Sequence, residues 1–150
     1  MTPDGIEKLK IHEELRLKAY DDATGKELRP GDTLKGALTI GWGHNLSANG
    51  ITQRNAIAWL TEDIEKATAQ CRQAFDWLDL LDPVRQDVII QLAFNMGLAG
   101  LKTFKKFLAA CEQQDWSLAV NELLDSKWAT QVGKERVDDI LNAIEYGVWD

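Results

Sequence analysis

Two acidic residues near the amino terminus, Glu13 and Asp22, have the types and surroundings that acid–base chemistry requires. Glu13 follows Ile6 and Leu9 on one face of a predicted helix. A carboxyl group on a core-directed face loses hydration, which favours its protonated form. Asp22 lies in a polar turn, where contact with water keeps a carboxylate ionised. One protonated and one ionised carboxyl group form the pair that cleaves glycosidic bonds.

Each candidate also has an ordinary structural explanation. A glutamate at a helix end commonly pairs with a lysine or arginine, and a turn aspartate such as Asp21 or Asp22 is commonly a solvated residue. Thr39, in the strand-like sequence Leu38-Thr39-Ile40, has a hydroxyl that would help Asp22 position a water molecule. It fits equally well as a strand threonine without a chemical role. Spacing alone leaves both interpretations open.

The elements that would carry these residues follow from capping and periodicity. Residues 2–4, Thr-Pro-Asp, have the side chains that begin a helix. Residues 15–20 alternate apolar and polar side chains, which predicts a half-buried strand, and residues 38–40 predict a second one. Residues 41–43, Gly-Trp-Gly, indicate that backbone or substrate approaches closely there. We therefore expect a small β lobe over residues 15–46.

The remaining sequence predicts helices. An apolar stripe with alternating steps of three and four predicts a long connecting helix over residues 52–74. Residues 88–96 are apolar nearly all round, which predicts a central buried helix ended by Gly97. The expected fold is a mostly helical α+β domain over residues 1–150. Its helical lobe would comprise residues 75–150 together with the N-terminal helix.

Composition excludes several classes of function. The net charge of −7 opposes binding to nucleic acid, whose phosphates need clustered cations. No metal-binding or dinucleotide-binding motif is present, so we expect neither a metal nor a cofactor. Cys71 and Cys111 are expected to be reduced thiols in the core. Reduced thiols suit synthesis in a cytoplasm. The sequence has no apolar stretch long enough to span a bilayer, and we expect no signal peptide.

The sequence L-K-I-H-E-E-L-R-L-K-A-Y-D-D at residues 9–22, followed by T-I-G-W-G-H at residues 39–44, resembles the phage-type lysozymes of glycoside hydrolase family 24. The resemblance implies a two-lobed lysozyme-like fold. It also implies hydrolysis of peptidoglycan between N-acetylmuramic acid and N-acetylglucosamine. Matched onto this chain, the family's catalytic residues are Glu13, Asp22 and Thr39. Glu13 would act as the general acid, while Asp22 and Thr39 would position and activate water.

Further motifs extend the resemblance over nearly the whole chain. Residues 93–97, A-F-N-M-G, are similar to a family motif on the central helix, which borders the substrate cleft. The resemblance leads us to expect that Asn45, Phe94 and Asn95 bind substrate. It also implies a monomeric endolysin that lyses the bacterial host of a phage or prophage. The enzyme would stay in the host cytoplasm, without stable membrane insertion, until a separate holin-like protein gives it access to the cell wall.

Four departures from the family pattern bear on function. The segment between Asp22 and Thr39 is longer than in the family's shortest forms, which would reshape the entrance to the site. Glu14 stands beside Glu13, where a small residue is common. Glu122 occupies a polar position that would contact sugar, and the last helix is acidic where some members are basic. We therefore expect a different affinity for an anionic wall polymer, or a different dependence of that affinity on salt.

Two other functions remain open at this point. A lytic transglycosylase would use Glu13 alone and release an anhydro sugar, whereas the presence of Asp22 and Thr39 favours a hydrolase. A non-catalytic peptidoglycan-binding module on the same scaffold is the second alternative, and the acidic composition favours it. For a hydrolase, the resemblance implies inversion at the anomeric carbon, which the spacing of residues in the sequence does not decide.

Overall fold

The computed structural model describes residues 1–149, which form a mostly helical structure with one small antiparallel sheet. The described α-helices are α1 (Pro3–Glu13), α2 (Leu46–Asn49), α3 (Gln53–Ala74), α4 (Pro83–Leu101), α5 (Lys105–Glu112), α6 (Trp116–Leu124), α7 (Lys127–Gln131) and α8 (Lys134–Tyr146), and a 3-10 turn lies at Leu78–Leu80. The strands are β1 (Arg16–Asp21), β2 (Leu38–Gly41) and β3 (His44–Asn45). The predicted class, α+β and mostly helical, is confirmed.

The described chain forms two compact units, one over Met1–Ile57 and one from Ala58 onward. The sheet lies entirely in the first unit, and helices α4 to α8 lie in the second. The boundary falls within α3, the helix that the sequence predicts as a connection over residues 52–74. The division of a single domain into a β lobe and a helical lobe stays a prediction.

The sheet of the first unit has the order β1-β2-β3, with both pairs antiparallel. Thr39 in β2 pairs with Tyr20 on one side and with Asn45 on the other. Asp21, the last residue of β1, pairs with Leu38. Residues directly opposite each other in an antiparallel ladder project from the same face. Tyr20, Thr39 and Asn45 therefore share one face of the sheet.

Apolar side chains of α1 and β1 are exposed, although their spacing predicts a buried face. Ile6 and Leu9 are 43% and 45% exposed, α1 has no buried residue, and Leu17 is 80% exposed. The prediction that these side chains are buried is wrong. Local hydrogen bonds account for the start of α1, since Thr2 Oγ1 accepts a bond of 3.2 Å from the N–H of Gly5.

The second unit is organised around α4, whose Val88, Ile89 and Leu92 are buried. They join an apolar core that also contains side chains of α3, α5, α6, α7 and α8. The first helical segment of α4 ends at Gly97, as the sequence predicts, and a second segment follows this kink and continues to Leu101. The backbone leaves helical geometry only at Gly97 (φ 77°, ψ 154°), a conformation that glycine adopts at low cost.

A largely buried arginine, Arg85, joins the first turn of α4 to the C-terminal end of α8. Its Nε donates to the carbonyl oxygen of Ile144 at 2.7 Å, and its Nη2 donates to that of Glu145 at 2.8 Å. Its Nη1 donates to the carboxylate of Asp82 at 2.9 Å, and the guanidinium lies 4.2 Å from the centre of the Trp116 ring. Carbonyl groups at the end of a helix lack partners within it, so Arg85 satisfies two such acceptors at once.

Both cysteines are free and buried in the second unit. Burial raises the pKa of the Cys71 thiol to about 11 and that of the Cys111 thiol to about 12. Because the thiolate is the reactive form, these side chains are expected to be unreactive at neutral pH.

No helix among residues 1–149 has the length and apolar character needed to cross a membrane.

Candidate active site

Glu13 is the last residue of α1, and its carboxylate lies against the turn between β2 and β3. A Cβ atom placed on Gly43 would lie 2.6 Å from Glu13 Oε2, so a larger residue at position 43 would displace the carboxylate. Gly43 also has a φ of 66°, in the left-handed region that favours glycine. Glu13 is exposed to solvent. The expectation of a core-directed Glu13 is wrong, because α1 ends at this residue and presents it to the turn.

Glu14 ends α1 through its backbone. Its N–H donates to the carbonyl oxygen of Lys10 at 3.2 Å, and its φ is 49°. A residue with a Cβ atom is strained in this left-handed conformation, which gives a physical reason why a small residue would suit the position. The Glu14 side chain itself is exposed, so water can hydrate its charge.

Asp22 and Thr39 meet at the peptide group of Ala37. The N–H of Ala37 donates to Asp22 Oδ1 at 2.6 Å, and the N–H of Asp22 donates to the Ala37 carbonyl oxygen at 3.1 Å. The Thr39 hydroxyl donates to the same carbonyl oxygen at 3.2 Å. Asp22 is exposed and Thr39 is buried. The structure therefore brings together two of the three residues that the resemblance assigns to catalysis, both through one backbone group.

This arrangement has the donors and acceptors needed to hold a water molecule. The Ala37 N–H bonds to Asp22 Oδ1 and the Asp22 side chain is exposed, so Oδ2 can accept a bond from water. The Thr39 oxygen uses its hydrogen on Ala37 and keeps lone pairs that can accept a second bond. A water that donates to one of these oxygens is polarised, and an ionised Asp22 can take its proton.

Asp21 is a buried structural anion, which the interpretation of both aspartates as solvated turn residues did not predict. It is 2% exposed, and its carboxylate accepts backbone N–H groups from Lys35 at 2.8 Å and from Ala23 and Gly36 at 3.0 Å each. The Lys35 N–H makes the largest contribution to lowering its pKa, against burial, which would raise it. Its contribution to stability is therefore present above the ordinary value of 3.8 and lost as pH falls through the folded pKa.

Strand alternation does not account for this burial. In a regular strand residue 21 would share a face with residues 15 and 17, but Leu15 and Leu17 are exposed and the pairing of β1 shifts register between Arg16 and Tyr20. The burial follows instead from the returning end of the loop, which supplies the N–H groups of Lys35 and Gly36.

The three residues expected to bind substrate are partly engaged within their own units. Asn45 Oδ1 accepts the N–H of Ala48 at 2.9 Å and thereby caps α2. Asn95 Oδ1 accepts the indole N–H of Trp128 at 3.1 Å. Phe94 is exposed and lines a cavity of about 360 Å³ in the second unit. Substrate binding by Asn45, Phe94 and Asn95 stays a prediction.

A second cavity in the second unit, of about 640 Å³, contains the acidic residue that departs from the family pattern. Glu122 lines this cavity together with Lys106, Ser126 and Trp128. Glu122 Oε1 lies 4.0 Å from Lys106 Nζ, so a cation accompanies the additional negative charge. Within the described residues, no group of three or more His, Cys, Asp or Glu side chains is arranged to hold a metal ion.

The chain belongs to the phage lysozyme family, whose model matches residues 10–142. It is 32% identical over 135 residues to an endolysin of Acyrthosiphon pisum secondary endosymbiont phage 1, covering 86% of this chain and 80% of that protein. It is also 34% identical over 67 residues to a probable T4-type lysozyme 1 of Dictyostelium discoideum, covering 45% of this chain. That match spans 39% of the length of the Dictyostelium relative. The family and the names of the relatives support a lysozyme or endolysin role.

Proposed function

We propose that this protein hydrolyses the β-1,4 bond between N-acetylmuramic acid and N-acetylglucosamine in bacterial peptidoglycan. The observation that carries the proposal is the arrangement in the first unit. One carboxyl group, Glu13, is placed by a glycine turn, and another, Asp22, is placed beside Thr39 by a shared peptide group. The two carboxyl groups lie in different surroundings, Glu13 against Gly43 and Asp22 against the Ala37 N–H, and different surroundings suit the different tasks of acid and base in glycoside hydrolysis.

In the proposed reaction, Glu13 gives its proton to the glycosidic oxygen as the bond to the anomeric carbon breaks. Asp22 takes a proton from a water molecule, whose oxygen forms the new bond to that carbon. Thr39 accepts a hydrogen bond from the same water and limits its orientation. After one turnover, Glu13 has lost a proton and Asp22 has gained one, so exchange with solvent restores both. This route inverts the anomeric configuration.

The proposed biological role is lysis of a bacterial host by a phage or prophage. The protein would act as a monomer on the glycan strand, without a cofactor and without stable membrane insertion. It would stay in the host cytoplasm until a separate holin-like protein opens a path to the wall. The endolysin relative, matched over most of both chains, supports this role.

Digestion of purified peptidoglycan by the wild-type protein tests the reaction directly. We expect new reducing ends at muramic acid and product masses that include one added water per cleaved bond. Anhydro-muramic acid ends would instead identify a lytic transglycosylase. Binding to pelleted wall without any product would identify a binding module, and either result would contradict the proposal.

Gly43→Ala is expected to lower kcat about 100-fold, because misplacing a reacting group by about 1 Å has an effect of this order. The added methyl group would meet the Glu13 carboxylate and move it. Gly41→Ala is the matched control, since Gly41 has a φ of 69° and no atom among residues 1–149 within 4 Å of the added carbon. Both variants share a backbone strain of about 1–2 kcal/mol, so both should melt at similar temperatures. Equal kcat values in the two variants would contradict this placement of Glu13.

A further inference from the structure

The buried carboxylate of Asp21 closes the 22–37 loop, the segment between β1 and β2. It accepts the N–H of Ala23 at the start of the loop. It also accepts the N–H groups of Lys35 and Gly36, which form the returning end of the loop. Asp21 thus joins backbone groups that lie 12 and 13 residues apart in the sequence. Among residues 1–149, no other side chain bonds to both ends of this loop.

The returning end of the loop packs closely against its first residues at Gly36. A Cβ atom on Gly36 would collide with Asp22 Oδ1, with Ala23 Cβ and with the backbone nitrogen of Ala23. The chain can therefore pass beside the first residues of the loop only because residue 36 is glycine. Ala37 follows directly, and its N–H reaches Asp22 Oδ1 at 2.6 Å. The bonds to Asp21 therefore hold the two residues that directly precede Ala37.

We propose that Asp21 is a positioning residue, whose buried carboxylate holds the returning end of the loop so that Ala37 meets Asp22. The inference rests on the proposed function, because Asp22 is the base of that reaction. Asp21 itself is buried, so it acts on the reaction through the backbone. It holds the residues that precede Ala37, whose N–H donates to the Asp22 carboxylate.

The three backbone N–H groups that donate to Asp21 explain why aspartate suits this role better than asparagine. A carboxylate accepts at both oxygens, and both oxygens of Asp21 are used. An asparagine of the same shape accepts at one oxygen only, and its NH₂ group would face an N–H donor. Asp21→Asn therefore loses either the Lys35 bond or the Ala23 and Gly36 bonds, depending on which position the amide oxygen takes, with little change in volume.

Steady-state kinetics of Asp21→Asn on purified peptidoglycan test the inference. We expect kcat to fall about tenfold or more, while KM stays within about twofold, because the substrate-binding surface is unchanged. Asp32→Asn is the matched control, since Asp32 belongs to the same loop, is exposed and accepts one backbone N–H, that of Arg29 at 2.7 Å. It loses the same charge and should keep the wild-type kcat. Equal kcat values in wild type and Asp21→Asn would overturn the inference.

The amide resonance of Ala37 supplies a readout that does not depend on catalysis. In the wild-type protein we expect its chemical shift to follow the ionisation of Asp22 in an NMR pH titration, because the two groups are hydrogen-bonded. The response should disappear in Asp21→Asn and persist in Asp32→Asn. If it persists in Asp21→Asn, the inference is overturned. A wild-type protein without cleavage would contradict the proposed function, while this titration would still decide whether Asp21 positions Asp22.

Hydrogen exchange in the wild-type protein keeps the inference testable if Asp21→Asn does not fold. The amides of Lys35 and Gly36 should exchange more slowly than an unstructured peptide of the same sequence, because a buried carboxylate accepts both. Exchange of both amides at the unprotected rate would overturn the proposed attachment of the loop.

Discussion

Glu13→Gln is expected to reduce the rate of peptidoglycan cleavage about 1,000-fold, within the range of about 10²–10⁴ for a lost general acid. Glutamine keeps the shape of the side chain but has no acidic proton to give to the leaving oxygen. The fold should be retained, because Glu13 is exposed and its replacement leaves no buried group without a partner. Reducing-end release measures the rate, and circular dichroism with thermal melting verifies the fold.

Glu14→Gln is the control for this substitution. Glu14 is the next residue, is also exposed, and loses the same charge without any change in its backbone role at the end of α1. Its cleavage rate should remain within about twofold of wild type, since exposed charges have small effects in salt. A Glu13→Gln variant that cleaves at a tenth of the wild-type rate or faster would contradict the assignment of Glu13 as the acid.

Arg85→Met is expected to lower the free energy of unfolding by about 2–3 kcal/mol, because hydrogen bonds to a charged group contribute about 1.5–3 kcal/mol and the partner Asp82 is partly exposed. The Arg85 side chain is 14% exposed, and methionine can replace only its apolar part. Asp82 would lose the guanidinium, and the carbonyl groups of Ile144 and Glu145 would lose their donors. Urea unfolding with equal m values in both proteins would measure the difference.

Arg72→Met is the matched control for Arg85→Met. Arg72 lies in the same unit and pairs with Asp79 at 3.0 Å, but both side chains are more than half exposed, at 55% and 62%. An ion pair of this kind contributes only about 0.2–1 kcal/mol. Similar losses in the two variants would contradict the role of Arg85 as the link between α4 and α8.

The sequence by itself determined the elements whose signals are local, among them the start of α1, the strands β1 and β2, and the connecting helix α3. Capping residues mark three helix starts: Thr2 accepts the N–H of Gly5, Asp82 that of Arg85, and Asp115 that of Leu118. These bonds join residues three apart, so their energetics are local and can be inferred from short segments. The apolar periodicity of the helices in the second unit is equally local in origin. The predicted fold class, α+β and mostly helical, is confirmed. The motifs around Glu13, Asp22 and Thr39 likewise provided the family, since they are short and ordered along the chain.

The tertiary structure alone decided the surroundings of the proposed site. Asp21 and Asp22 are adjacent and identical in type, yet one is buried under three N–H groups and the other is exposed. Their difference arises from loop residues 14 and 15 positions away, whose return depends on the sheet register. The surroundings of the Glu13 carboxylate likewise include Gly43, thirty residues later. Burial and hydrogen bonding depend on all the groups that meet in space, and such long-range contacts leave no periodic trace in the sequence.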